Sequence, residues 1–110
     1  MELNNWNAYG ARCTVFTLKK EYDKAIADCS KAIELAPKNG GGYISRAQAY
    51  YEKKEYAKAI ADYTKGIELA PHYAQAYKER GTAHYMKGEY EKAIADLTKA
   101  VELNPKYSEA

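Results

Sequence analysis

The sequence is poor in several residue types that mark common protein classes. Its 110 residues include only two cysteines, three prolines, one tryptophan and one phenylalanine. The prolines never cluster, so no disordered linker is indicated, and no apolar run is long enough for a membrane span or the core of a signal peptide. The start, Met1 to Asn5, resembles that of a cytoplasmic or recombinant chain. We therefore expect a cytoplasmic protein that does not enter a membrane.

Charge of one sign is not in excess either. The sequence has 17 basic and 15 acidic residues, which gives a formal net charge of +2. This balance is too even for the electrostatic surface of a nucleic-acid-binding protein. The Lys19-Lys20 and Lys53-Lys54 pairs are interpreted as solvated turn residues, and we expect no nucleic-acid partner.

Residues suited to catalysis or metal binding are also scarce. Cys13 and Cys29 cannot form a metal site alone, and His72 and His84 match no ligand spacing. No Ser/His/Asp set is present. The run Gly40-Gly41-Gly42 follows a predicted helix, lacks the Lys-Ser/Thr of a phosphate loop, and is interpreted as a flexible joint. The sequence predicts a protein that is not an enzyme and has no cofactor or metal.

The state of the two cysteines depends on whether the segments that carry them face each other. A disulfide between Cys13 and Cys29 requires two closely packed helices. The lack of a secretion signal favours two reduced, buried thiols. The sequence leaves both states open and favours the reduced one.

A repeat dominates what the sequence does contain. Pro37, Pro71 and Pro105 are each 34 residues apart, and the 17 residues ending at each proline align without a gap. These segments read EYDKAIADCSKAIELAP, EYAKAIADYTKGIELAP and EYEKAIADLTKAVELNP. Chance does not produce three such copies, so internal duplication organises the fold.

Hydrophobic spacing predicts two helices in each copy. Tyr90, Ile94, Leu97 and Val101 lie at spacings of 4, 3 and 4, which is one face of an amphipathic helix. The closing proline ends this helix because it lacks an N–H and its ring clashes with the preceding turn. The upstream half repeats an apolar pattern at spacings of 4 and 3, so it is helical too. Its residues are Tyr43, Ala47 and Tyr50, recurring as Tyr77, Gly81 and His84.

The predicted architecture is all-α: about six helices in three antiparallel pairs. One pair cannot bury both of its faces, so the pairs must stack. We predict a single domain spanning 1–110, with units at about 6–39, 40–73 and 74–107.

These features resemble the tetratricopeptide repeat (TPR), and the resemblance covers residues 6–107. It rests on the period of 34, the closing proline and three columns of small residues, which let helix axes approach closely. The columns are Cys13, Ala47 and Gly81; Ala25, Ala59 and Ala93; and Ala32, Gly66 and Ala100. The first unit carries Arg12 and Cys13 where the family usually has Leu and Gly. The resemblance implies a right-handed superhelical α-solenoid whose concave groove binds a peptide or helix of a partner protein.

Most of the twelve tyrosines recur with the period and are predicted to be core. The two core columns are Tyr9, Tyr43 and Tyr77, and Tyr22, Tyr56 and Tyr90. Tyr51 and Tyr85 instead share a column that, at 100° per residue, points away from the packing stripe. Columns on this outward arc vary while the packing columns repeat, so we look for recognition there. The predicted groove residues are Thr14, Ile44, Gln48, Tyr51, Lys78, Thr82, Tyr85 and Met86.

One binding mode of the resembled family is predicted to be absent. Some members hold a C-terminal carboxylate of a chaperone peptide with a clamp of Lys, Asn and Arg. The corresponding positions here are Gly10, Thr14, Ser45, Gln75 and Glu79. They supply no cation, and Glu79 would repel a carboxylate.

The last helix is expected to keep an apolar face exposed. Ile94, Leu97 and Val101 occupy positions that the earlier units bury, and burial of one such side chain is worth about 1.5–3 kcal/mol. Another copy of the chain is therefore a candidate partner. The alternative to peptide binding is a self-assembling segment of a longer, natural or consensus-designed, TPR superhelix.

Overall fold

The computed structural model describes residues 5–104, which form six α-helices joined by short turns, with no strand in that range. The helices are α1 (Trp6–Leu18), α2 (Tyr22–Leu35), α3 (Gly40–Glu52), α4 (Tyr56–Leu69), α5 (Ala74–Met86) and α6 (Tyr90–Leu103). They pack as the pairs α1/α2, α3/α4 and α5/α6, and each pair contacts the next. The predicted all-α solenoid of three helix pairs is confirmed.

A single left-handed residue reverses the chain inside each pair. Lys20 and Lys54 have φ angles of 68° and 69°, and Gly88 has a φ angle of 80°. This conformation ends a helix by letting the next amide bond back to it, and it favours glycine. The amide of Glu21, for instance, donates to the carbonyl of Phe16 at 2.9 Å. The short turns that follow force the two helices of a pair to run antiparallel.

Proline and asparagine mark the boundaries between units. Helices α2 and α4 end two residues before Pro37 and Pro71, as the sequence predicts, while Pro105 lies outside the described residues. Asn39 caps α3, since its side-chain oxygen accepts a hydrogen bond from the Gly41 amide at 2.8 Å. The second unit therefore begins at a capping asparagine, and the second helices of the first two units end just before a proline.

The small-residue columns lie where helices approach most closely. All nine members are buried. Gly81 shows the reason, because a Cβ at this position would lie 3.1 Å from Cγ of Leu97 and 3.2 Å from the Ala93 carbonyl oxygen. Larger side chains would push the two helices of the pair apart.

The glycine run has a packing role that the sequence did not indicate. A Cβ on Gly40 would meet the carbonyl oxygen of Gly66 at 2.9 Å, and one on Gly42 would meet Ile33 at 3.0 Å. These glycines let α3 approach α4 on one side and α2 on the other. They belong to helix α3, whereas the sequence suggested a flexible joint.

The expectation of reduced thiols is wrong, because Cys13 and Cys29 form a disulfide. Both residues are fully buried in the α1/α2 interface, and their Cα atoms lie 5.4 Å apart. That separation is within the range a disulfide requires. The close approach that the small-residue column permits is also what brings the two sulfur atoms together.

The tyrosine prediction fails at one position. Tyr9, Tyr43, Tyr77, Tyr22 and Tyr56 are partly buried, as an amphipathic interior predicts. Tyr90, in the same column as Tyr22 and Tyr56, is mostly exposed. In the described part of the chain, no helix follows α6 to cover it.

An arginine–aspartate pair joins the two helices of every unit. In each pair the Nε and a terminal nitrogen of the guanidinium donate to the two carboxylate oxygens, over 2.6–2.9 Å. The pairs are Arg12–Asp28, Arg46–Asp62 and Arg80–Asp96. Arg12 is therefore part of a repeated ladder rather than a departure of the first unit. The recurrence of both residue types every 34 positions was the sequence signal for this ladder.

Candidate functional site

A cavity of about 360 Å³ opens on the side of the array formed by the first helices of the three units. Helices α1, α3 and α5 form its walls, and one residue of α4 closes its floor. The lining residues are Thr14, Thr17 and Leu18 of α1; Gln48, Tyr51 and Glu52 of α3; Tyr63 of α4; and Gln75, Lys78, Glu79 and Thr82 of α5. We call this cavity the groove.

The floor of the groove is a neutral tyrosine beside a fixed carboxylate. Tyr63 is only 1% exposed, and burial, together with the nearby Glu79 carboxylate, raises its pKa. Glu79 accepts hydrogen bonds from Gln48 Nε2 at 2.9 Å and from Gln75 Nε2 at 2.6 Å. The bond from Gln48 links α3 to α5, and the bond from Gln75 lies within α5. Together they hold the carboxylate in one place.

Tyr51 presents an aromatic surface on the wall of α3. Its ring packs edge-on against Tyr56 with 5.4 Å between ring centroids, and it also contacts the buried core beneath. Partial burial raises the pKa of its hydroxyl, which therefore stays protonated. A ring anchored on one side and open on the other can bind an apolar side chain while its hydroxyl donates or accepts a hydrogen bond.

Five of the eight predicted groove residues line this cavity: Thr14, Gln48, Tyr51, Lys78 and Thr82. Two others, Tyr85 and Met86, lie further along α5, beyond the cavity, and are largely exposed. The rings of Tyr85 and Tyr90 pack with 5.7 Å between their centroids, much as those of Tyr51 and Tyr56 do. Tyr85 occupies in the third unit the place that Tyr51 occupies in the second.

The prediction for Ile44 is wrong, because this side chain is buried in the core between α3 and α4. Gly66 explains the difference. A Cβ on Gly66 would lie 2.5 Å from Cγ1 of Ile44. The missing side chain at Gly66 thus makes the space that Ile44 fills, and a ligand in the groove cannot reach it.

Sequence reasoning missed several lining residues for two different reasons. Thr17, Leu18, Glu52 and Gln75 share the outward arc, but helical periodicity alone does not say how far along each helix the cavity extends. Tyr63 lies in a packing column of α4, and the sequence gives no signal that this buried side chain also borders the cavity. For Glu79 the sequence indicates only that its carboxylate would repel another carboxylate.

The groove carries more negative than positive groups. Glu52 and Glu79 are the carboxylates of its lining, and Lys78 is the single ammonium among the eleven lining residues. At the positions compared with a carboxylate clamp, Gly10 has open space around it and Glu79 is acidic. The charge distribution favours donors and cations over anions at this site.

The residues predicted for self-association lie together on one face of α6. Ile94, Leu97 and Val101 are all exposed and line a shallow depression with Thr98 and Glu102. Of their counterparts in α4, Tyr63 and Ile67 are buried and Ile60 is partly buried. This surface is separate from the groove.

Two further features bear on function. Within residues 5–104, no three side chains of His, Cys, Asp or Glu are grouped so that they could hold a metal ion. Over the same residues, no helix has both the length and the apolar character required to cross a bilayer.

Stacked helix pairs with a concave, side-chain-lined groove define a helical-repeat protein-interaction module. The family model for the tetratricopeptide repeat matches residues 6–39 and 74–107, and a second model, described as TPR repeat, matches residues 47–88. The chain belongs to the tetratricopeptide-repeat family. No protein with a curated description matches it.

Solved TPR domains share this fold. The first TPR of Spaghetti (RPAP3), bound to the HSP90 peptide SRMEEVD, superposes with a TM-score of 0.88 at 28% identity, over 91% of this chain and 79% of that one. The second TPR of Spaghetti, bound to the same peptide, gives 0.87 at 26% identity, over 94% and 100%. The Arabidopsis OM64 TPR domain gives 0.88 at 29% identity, over 92% and 84%.

Proposed function

We propose that the chain binds a peptide or a helix of a partner protein in the groove. The observation that carries this proposal is the cavity between α1, α3 and α5, with Tyr51 open to it and a rigid hydrogen-bonded floor. Support comes from the TPR domains of Spaghetti, which share the fold and are solved with a bound peptide. Tyr85 and Met86 would extend the contact beyond the cavity, since both are exposed on α5, which forms one wall of the groove.

The ligand we propose differs in charge from the peptide bound by those domains. SRMEEVD is acidic and ends in a carboxylate, whereas two of the three charged residues lining this groove are Glu52 and Glu79. An anion brought near them would be repelled in a partly desolvated site. We therefore infer a ligand that places an apolar side chain against Tyr51 and a hydrogen-bond donor towards Glu79.

A peptide library displayed against the intact chain tests the proposal. Binders selected on the wild type are then measured by calorimetry on a variant whose groove is filled, Thr82→Arg. A matched control, Ala61→Arg, adds the same charge at an exposed position of α4 outside the groove. We expect Thr82→Arg to weaken binding at least about tenfold, because a long side chain displaces the ligand, and Ala61→Arg to have no effect. Equal binding to both variants would place the ligand elsewhere.

The charge of the ligand has its own test. SRMEEVD serves as the probe, and we expect it to bind at least about tenfold more weakly than the selected peptides. Tight binding of this peptide, abolished by Thr82→Arg, would leave the groove in place and overturn the inference about ligand charge.

A further inference from the structure

The junctions between units share one polar contact. At the first junction, Arg46 Nη1 donates to Ser30 Oγ at 3.1 Å; at the second, Arg80 Nη1 donates to Thr64 Oγ1 at 3.0 Å. In both cases the guanidinium also holds the aspartate of its own unit. One arginine thus ties three helices together and fixes the register between neighbouring units.

The two ends of the array carry the separate halves of a third such contact. Arg12 binds Asp28 in the same way, but no hydroxyl in the described residues takes the place of Ser30 or Thr64. Its side chain is 61% exposed, against 23% for Arg46 and 20% for Arg80. At the opposite end, Thr98 lies 34 residues after Thr64 and is exposed.

The apolar surfaces at the two ends match in the same register. Ala49 on α3 and Ala83 on α5 are completely buried against the preceding unit. Their counterpart on α1, Val15, is 53% exposed. On the other side of the junction, Tyr63 of α4 is 1% exposed, while its counterpart Leu97 of α6 is 39% exposed.

We propose that a second copy of this chain stacks head to tail, with α1 of one copy on α6 of the next. Arg12 of one copy would donate to Thr98 of the other, while Val15 packs against Ile94 and Leu97. The surfaces at the two ends are those that already form both junctions inside the chain, so the same contact can continue from one copy to the next. A symmetric contact between two α6 helices would leave Arg12 and Val15 unused.

This arrangement predicts open growth. A head-to-tail contact uses two different surfaces, so each added copy presents a new free end and the assembly does not close at a dimer. The proposal is independent of peptide binding, because none of the surfaces it uses lines the groove.

Two single variants and their mixture distinguish the possible contacts. Ile94→Glu blocks only the α6 end, because it puts an unpaired carboxylate into an apolar contact, and Val15→Glu blocks only the α1 end. Ala95→Glu is the matched control on α6, since its counterparts Ala27 and Ala61 stay exposed within the array. Circular dichroism verifies that each variant keeps the helical fold.

Sedimentation from micromolar to millimolar concentrations provides the measurement. We expect the mass of wild type and Ala95→Glu to rise past that of a dimer, and each blocked variant to remain a monomer, with association at least about 100-fold weaker. An equimolar mixture of Ile94→Glu and Val15→Glu should form a dimer and nothing larger, because only one pair of intact ends remains. Thr98→Val, which removes the hydroxyl and keeps the shape, should weaken association about fivefold.

Two results would overturn the proposal. A wild type that stays monomeric over the whole range would show that the ends do not bind each other. A dimer formed by Val15→Glu alone would show that two α6 faces meet, because that variant retains only this surface.

Discussion

Replacing each ladder aspartate by alanine separates the effect of burial from the effect of position in the array. The three carboxylates hold their arginines with nearly the same geometry. The three pairs differ in the burial of the arginine. The arginine side chains bound by Asp62 and Asp96 are largely shielded from water, whereas the one bound by Asp28 faces solvent. Removing a carboxylate leaves the guanidinium without its partner, and the resulting loss in the free energy of unfolding depends on how much water can reach that group.

The burial of each arginine sets the expected loss in the free energy of unfolding. Breaking a fully buried ion pair costs about 3–5 kcal/mol. About a fifth of the Arg46 and Arg80 side chains remains exposed, so we expect Asp62→Ala and Asp96→Ala each to lower the free energy of unfolding by about 2–3 kcal/mol. Asp28→Ala should have a clearly smaller effect, because the freed arginine can turn into water.

Urea denaturation followed by circular dichroism measures the three variants. A loss of this size moves the midpoint by roughly 1 M, given the usual dependence on urea for a chain of this length. Asp23→Ala is the control, since it removes an equally short ion pair, to Lys53, from an exposed site. It should change stability least.

The ordering of the variants decides the matter. Burial predicts that Asp62→Ala and Asp96→Ala have similar effects, both larger than Asp28→Ala. Fraying of the terminal units instead predicts similar, small effects for Asp28→Ala and Asp96→Ala, since both lie in end units. That second ordering would refute the reasoning from burial.

Three further predictions follow from local features. Gly10→Ala should raise the free energy of unfolding by about 0.5–1 kcal/mol, because a Cβ there has open space within a helix, whereas Gly40→Ala should lower it, because its Cβ would meet the Gly66 carbonyl; urea denaturation compares the two. The glutamates before α2, α4 and α6 have lowered pKa values, first because hydrogen bonds from Lys24, Lys58 and His84 favour the charged form. They are Glu21, Glu55 and Glu89. Their stabilisation is present above the unfolded pKa of about 4.3 and is lost as the pH falls through the lower folded values, so the stability difference between wild type and the triple Gln variant should shrink below about pH 4. Reduction of the disulfide, which joins cysteines 16 positions apart, should lower the free energy of unfolding by about 3 kcal/mol. It should also speed amide exchange in α1 by roughly 100-fold. Adding reductant to the double cysteine-to-alanine variant should change neither quantity.

Local pattern determined the repeating part of this protein. Six helices, their pairing and the buried small-residue columns follow from a period of 34, because each copy repeats the same apolar spacing, turn and proline. The exposed α6 surface follows from the same pattern, since its residues match ones that earlier units bury. The arginine–aspartate ladder can also be predicted from the sequence, because both residue types recur together every 34 positions.

Tertiary packing decided what differs between copies. Ile44 lies in the core because Gly66, on another helix, leaves room for it, and no helical projection of α3 alone contains that information. Tyr51 lines a cavity and Tyr85 does not, because a cavity needs a following helix as its second wall. Cys13 and Cys29 are joined because α1 and α2 approach within bonding distance. Each outcome depends on distances between helices, which spacing along one chain does not fix.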